Sequence, residues 1–317
     1  MGGLSLKKGI SILTLMLFAL LAISPIIFLA AGTFMGNQEI MDAIAPVLQH
    51  SKGHASWKLF PEYPTMKNVV ELLLDSPEFF QMFWNSIKIT GGILAGQLIF
   101  GVPAAWGLAK YSFRGKRVIY LLYITMMMMP FQVTMLSEYL VLDQLKLLDT
   151  SASVILPGIF STFSVFIMYR FFCGIPESIL EASRIDGAGE LQIFFRIGIP
   201  LGASGIISAL VLSFLECWNM IEQPMTFLTT KSLWPLSLFL PQVDSSNAGV
   251  SLCTSLVALL PAVFVFLAGQ DYLEQGIASS AVKESAALDI TVNTIIAARS
   301  HPSPFSQKVA FFFFCII

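Results

Sequence analysis

Residues 176–200 read Pro176-Glu-Ser-Ile-Leu-Glu-Ala-Ser-Arg-Ile-Asp-Gly-Ala-Gly-Glu-Leu-Gln-Ile-Phe-Phe-Arg-Ile-Gly-Ile-Pro200, a polar island between two apolar runs. Pro176 followed by Glu177 opens a helix, because proline is tolerated in the first turn and an early acid suits the positive helix end. Asp186-Gly187 is a stop signal, since glycine accepts the positive φ that a helix C-cap requires. Gly189 extends the break, and the apolar run from Leu191 leads to Pro200. This order predicts a short helix, a turn and a second short helix at a membrane surface. Small residues at Ala182, Ser183, Gly187, Ala188 and Gly189 leave room for another protein's backbone.

Working outward, the flanking runs belong to a membrane chain. Of 317 residues, 56% are apolar and 12% charged, against about 25% charged in soluble domains. The net charge of −2 gives no electrostatic case for nucleic acid. Cys173, Cys217, Cys253 and Cys315 lie scattered in or beside apolar segments without a C-x-x-C spacing, so they read as buried free thiols or gap fillers and not as a disulfide frame or metal site.

A helix needs about 20 apolar residues to cross the hydrocarbon core. Stretches near 10–32, 85–108, 118–140, 152–172, 201–221 and 251–269 qualify. The first follows Lys7-Lys8 and is longer than a signal-peptide core, so it reads as an uncleaved span. Pro103, Pro130, Pro157 and Pro261 predict kinks. Lys7 and Lys8, then Lys110, Arg114, Lys116 and Arg117, then Arg170, Arg184 and Arg196 all fall on one side. Lys146 and Lys231 in short loops, with Lys52, Lys58 and Lys67 in a long one, fall on the other. The positive-inside rule then puts both termini and the Glu181 loop in the cytoplasm.

The loop resembles the EAA signature of the membrane-spanning subunits of binding-protein-dependent ABC importers. That pattern is Glu-Ala-Ala, three residues, Gly, nine residues, Ile-x-Leu-Pro; here it is Glu181-Ala182-Ser183, Gly187 and Ile197-Gly198-Ile199-Pro200 with every spacing kept. Ser183 and Ile199 are mild departures. The long first external loop and the Glu274-Gln-Gly-Ile-Ala278 ending are similar to the maltose-type carbohydrate branch.

The resemblance implies an all-α membrane protein of six transmembrane helices with the type I ABC importer permease fold, in the cell (inner) membrane. It implies four segments. An N-terminal transmembrane helix covers 1–32 and an external loop 33–84. A permease core covers 85–284, with its coupling loop at 173–200, and an atypical tail covers 285–317. The implied partners are a homologous second permease, two ATPase subunits at the cytoplasmic face and an external substrate-binding protein. Glu181, Ala182, Ser183, Asp186 and Gly187 are the expected ATPase-coupling residues. The chain itself is expected to be a transport subunit and not an enzyme, with ATP and Mg bound by the partner ATPase. In keeping with this, no G-x-x-x-x-G-K-[ST], H-E-x-x-H or G-x-S-x-G occurs in the sequence.

Intramembrane polar residues mark candidate pathway groups. Glu216, Trp218 and Asn219, late in the fifth span, resemble the Trp-Asn positions of sugar-importer permeases. An aromatic face beside amide and carboxylate suits a sugar ring. The competing reading is that Asn219 and Glu216 hydrogen-bond neighbouring helices or sit in the outer headgroup region. The alternative function is an ion- or proton-coupled secondary transporter or a channel, with Glu138, Glu216 and Glu222 as coupling carboxylates.

Elsewhere the signals are weaker. His50 and His54 share a helical spacing, but Gly53 between them and the lack of an acid favour a solvated surface over a metal. Residues 66–75 read as a helix, followed by the aromatic lead-in Phe79, Phe80, Phe83 and Trp84. Met126 to Met129 before Pro130 read as adaptable packing. The terminal run Phe311-Phe-Phe-Phe-Cys-Ile-Ile317 is too short to span.

Overall fold

A computed structural model describes residues 2–48, 60–239 and 248–300. His50, Lys52, His54, Lys58, Cys315 and the Phe311–Ile317 run lie outside the described residues, as does the tail beyond Ser300.

The first apolar run forms α1 (Gly2–Thr33), and the following segment carries α2 (Asn37–Leu48) and α3 (Lys67–Leu74). Span two starts at Pro77, earlier than the expected 85, because Pro77 and Glu78 form a favourable first helical turn. It runs from α4 (Pro77–Gly96) through a wide π turn at Gln97–Gly101 into α5 (Val102–Lys110). Pro103 is the second residue past that turn. In a regular helix its ring meets the carbonyl of Ile99, and the wider turn makes room. The same device recurs at Phe194–Gly198 before Pro200.

Span three is broken. α6 (Lys116–Met127) and α7 (Phe131–Gln144) meet at 107°, with Pro130 extended between them. Proline lacks the donor that a continuous helix needs and also pushes its predecessor out of the α region. Next come α8 (Ser151–Ile159) and α9 (Thr162–Cys173), which share one apolar stretch. The polar island folds as α10 (Glu177–Ile185) and α11 (Glu190–Ile193). Then α12 (Ile199–Trp218), α13 (Glu222–Phe227) and α14 (Ala248–Ser300) follow. Among the described residues there is no strand.

Hydrogen bonds sort the loops onto two sides. Lys110 donates to the Ile175 carbonyl (2.6 Å) and Tyr111 to Glu190 (2.9 Å), so the loops after α5 and α9 share one face. At the other end Asp149 accepts from the Thr229 and Thr230 amides (2.9 and 2.8 Å). Asn85 there donates to the Ser232 carbonyl (2.7 Å). The chain thus enters α6 on the first face and leaves α7 on the second. The bent pair therefore crosses the membrane as the sixth span and is not re-entrant. Asn68 bonds the carbonyls of Thr33 and Met35 on the second face, so α1 begins on the first face with the polar island.

Close helix approach depends on two glycines. A Cβ on Gly202 would lie 2.3 Å from the Phe172 ring, and one on Gly205 would lie 2.2 Å from the Phe171 ring. The resulting α9–α12 contact continues into a buried cluster of Trp106, Phe172, Leu180 and Ile193.

Candidate functional site

The loop between α9 and α12 is anchored from within and bare outside. Pro176 is extended and starts α10, and Leu180 is fully buried against the cluster below. Ile193 and Phe194 bury on the far side of the turn. Between them the chain reverses at Gly187, whose φ is +84°. The amides of Asp186, Gly187 and Ala188 return to the carbonyls of Ala182, Arg184 and Ser183. These bonds satisfy the orphan carbonyls of the helix end.

The helical period separates the two faces of α10. Leu180 points inward, while Glu181, Ala182 and Ile185 are exposed, Ile185 by 86%. Leu191 and Phe195 extend the exposed apolar surface beyond the turn. No side chain comes within 4 Å of a Cβ placed on Gly187. Of the five expected coupling residues, Glu181, Ala182, Asp186 and Gly187 lie on the exposed surface. Ser183 is half-buried and returns its hydroxyl to the Ile179 carbonyl (2.7 Å).

A charged brace holds this surface. Arg184 donates through Nε to Glu190 Oε1 (2.8 Å) and through a terminal nitrogen to Glu177 Oε1 (3.2 Å). Both carboxylates raise the guanidinium pKa further, Glu190 first. The second oxygen of Glu190 accepts from Tyr111 (2.9 Å). Burial, then the Glu190 carboxylate, pushes the Tyr111 phenol up. Lys110, nearly buried, sits 3.8 Å from Glu177. α10, α11 and the end of α5 are thereby joined. Sequence reasoning named Arg184 only as a topology marker. The signal available was two acids flanking one arginine across a turn.

The expected pathway residues do not form one surface. Trp218 is 5% exposed, stacks on Phe214 and donates its indole N–H to the Ala258 carbonyl (2.9 Å). It packs α12 against α14 in this chain. Glu216 and Asn219 are exposed, and Asn219 also donates to the Leu215 carbonyl of its own helix (2.9 Å). A different polar contact stands beside the break in span three: Gln132 donates to both oxygens of Glu222 (2.7 and 2.8 Å). Among the described residues no group of three or more His, Cys, Asp or Glu gathers to hold a metal.

Residues 97–279 match the family described as the binding-protein-dependent transport system inner membrane component. The chain belongs to this family. It is a membrane-spanning permease subunit of an ABC importer and not an enzyme, and ATP hydrolysis lies in a partner subunit. Members work with an external binding protein and a second permease as well. The permease is 29% identical to the arabinooligosaccharides transport system permease protein AraQ of Bacillus subtilis, over 84% of this chain and 93% of that one. It is 27% identical to the lactose transport system permease protein LacG of Rhizobium radiobacter, over 84% and 93%. A crystal structure of a bacterial ABC transporter involved in the import of the acidic polysaccharide alginate superposes with a TM-score of 0.71. That match is 24% identical and covers 84% of this chain and 96% of the other, which establishes the fold. Family membership leaves the ion-coupled carrier without support.

Proposed function

We propose that this permease carries a carbohydrate inward and that the α10–α11 loop receives the ATPase. The observation that carries the coupling half is the exposed Glu181–Ala182–Ile185 face ending at the open, positive-φ Gly187. The rim of small residues lets a partner backbone approach, and Glu181 supplies a charge at its edge. The carbohydrate half rests on relatives whose names specify arabino-oligosaccharides and lactose. The first membrane face is then cytoplasmic, which agrees with the Lys/Arg distribution. The assembly pairs this chain with a homologous permease and two ATPase subunits, where ATP and Mg bind.

Transport proceeds by alternating access. Closure of the ATPase pair pushes on α10. The push passes through Leu180 and Ile193 into the Trp106–Phe172 cluster and so to α5, α9 and α12. Nothing in this chain performs chemistry on the solute.

The test is uptake into vesicles holding the full complex, with labelled arabino-oligosaccharide, purified binding protein and internal ATP. Accumulation should require ATP and the binding protein and survive collapse of the proton gradient. Uptake driven by the gradient without ATP would overturn the proposal.

A further inference from the structure

Helix α3 (Lys67–Leu74) is apolar over more of its circumference than the protein covers. One side is inside: Leu72 is fully buried with Phe79, Trp218 and Cys253, and Asn68 is buried on the carbonyls of Thr33 and Met35. Those partners lie at the ends of α1, α4, α12 and α14, so α3 sits level with the membrane boundary on the face opposite the coupling loop. Met66, Val70, Leu73 and Leu74 follow the i, i+4, i+7, i+8 spacing and form a second apolar side, with Leu74 76% exposed. Lys67, Glu71 and Asp75 occupy the remaining narrow edge.

We infer that this second side lies in the outer boundary of the lipid bilayer, so that α3 is an interfacial anchor of the permease. Three observations favour lipid as the occupant. The exposed stripe runs on into Phe80 and Trp84 at the start of α4, whose outer surface is a membrane span. Span two has 34 residues, about 50 Å of helix against a core of about 30 Å, so its first turns and the adjoining α3 fall in the interfacial layer. Trp84 and the exposed Lys88 one turn deeper mark that layer, one by an amphipathic ring and the other by a side chain that snorkels outward. A soluble binding protein that comes and goes leaves such a stripe bare to water between visits. Lipid covers it continuously.

The inference requires only that the chain spans a membrane, and it stands whatever the cargo. It is tested on the full complex in vesicles carrying Leu74→Trp, with the parent's emission subtracted. Val70→Trp provides a second apolar-side variant, and Glu71→Trp reports the charged edge. The added emission at 74 and 70 should lose most of its intensity in lipids brominated near the headgroup end of the acyl chains, and little to aqueous iodide. At 71 iodide should quench more than brominated lipid. Quenching at 70 and 74 by iodide would place the stripe in water. Quenching by neither agent would place it under another protein subunit. Either result overturns the inference.

Discussion

Arg184 Nε lies 2.8 Å from Glu190 Oε1, bridging the two short helices on either side of the Gly187 turn. The same guanidinium reaches Glu177, and Glu190 reaches Tyr111, so one arginine joins three elements. Solvent screens exposed ion pairs strongly, so the brace sets the angle of the loop more than the stability of the fold. Arg184→Ala is expected to leave folded yield near that of the parent while transport per ATP hydrolysed falls. Arg184→Lys keeps one contact at best and should fall between. Equal losses of yield and transport would instead make Arg184 a folding residue.

Gly187 combines a φ of +84° with open space outside it. Gly187→Val carries a conformational cost of about 1–2 kcal/mol for a left-handed residue and adds bulk where the ATPase is expected to dock. The variant should insert and fold, yet lose most of the co-purifying ATPase. Normal recovery of the ATPase together with normal uptake would refute the docking role.

Gly205 sits against the base of the Phe171 side chain, since an added Cβ would lie 2.2 Å from its Cγ and 2.4 Å from its Cβ. Gly205→Ala should destabilise the detergent-solubilised protein by about 1–3 kcal/mol through overpacking. Gly91, with no atom within 4 Å of its Cβ position, is the control. Gly91→Ala should be neutral or stabilising, because alanine is the better helix former. Thermal unfolding of the two variants side by side checks the contrast.

Asp149 caps the loop after α13. The Thr230 hydroxyl and amide, with the Thr229 amide, hold its carboxyl below the usual carboxylate range. A lowered folded pKa means that the carboxylate stabilises the native state above its ordinary value of about 3.9. That contribution is lost as pH falls through the lowered folded value. Asp149→Asn should therefore reduce the melting temperature at neutral pH. The difference from the parent should shrink below about pH 4. A difference that stays constant across this range would show that charge is not the cause.

How much of this was readable beforehand depends on whether the controlling partner is near in sequence. The α10–turn–α11 unit is local: Pro176, Asp186 and Gly187 each act within a few residues, and the structure follows them closely. The apolar runs were equally legible, since crossing a bilayer is set by length and hydropathy. The Trp218 contact was not legible because its partner, the Ala258 carbonyl, is on another helix. An aromatic flanked by polar residues looks alike whether it packs inward or faces a lumen. Pro130 announced a kink but not its size of 107°, and the Gln132–Glu222 contact between α7 and α13 joins residues far apart in sequence. The outward apolar side of α3 was also hidden, because only the fold shows which of its apolar residues remain uncovered.

The central claim, that the Glu181–Gly187 surface is where an ATPase pushes on this permease, is tested most directly by cross-linking at Ala182. Ala182→Cys would be made with the exposed Cys173 changed to serine, and the assembled complex treated with a short bifunctional thiol reagent. A panel of single cysteines on the ATPase supplies the partners. The expected result is a permease–ATPase adduct at Ala182→Cys whose yield changes when ATP is added, with none at a cysteine replacing Ser232 on the opposite face. Absence of any adduct at position 182, with that cysteine as freely labelled in the complex as in the isolated permease, would contradict it.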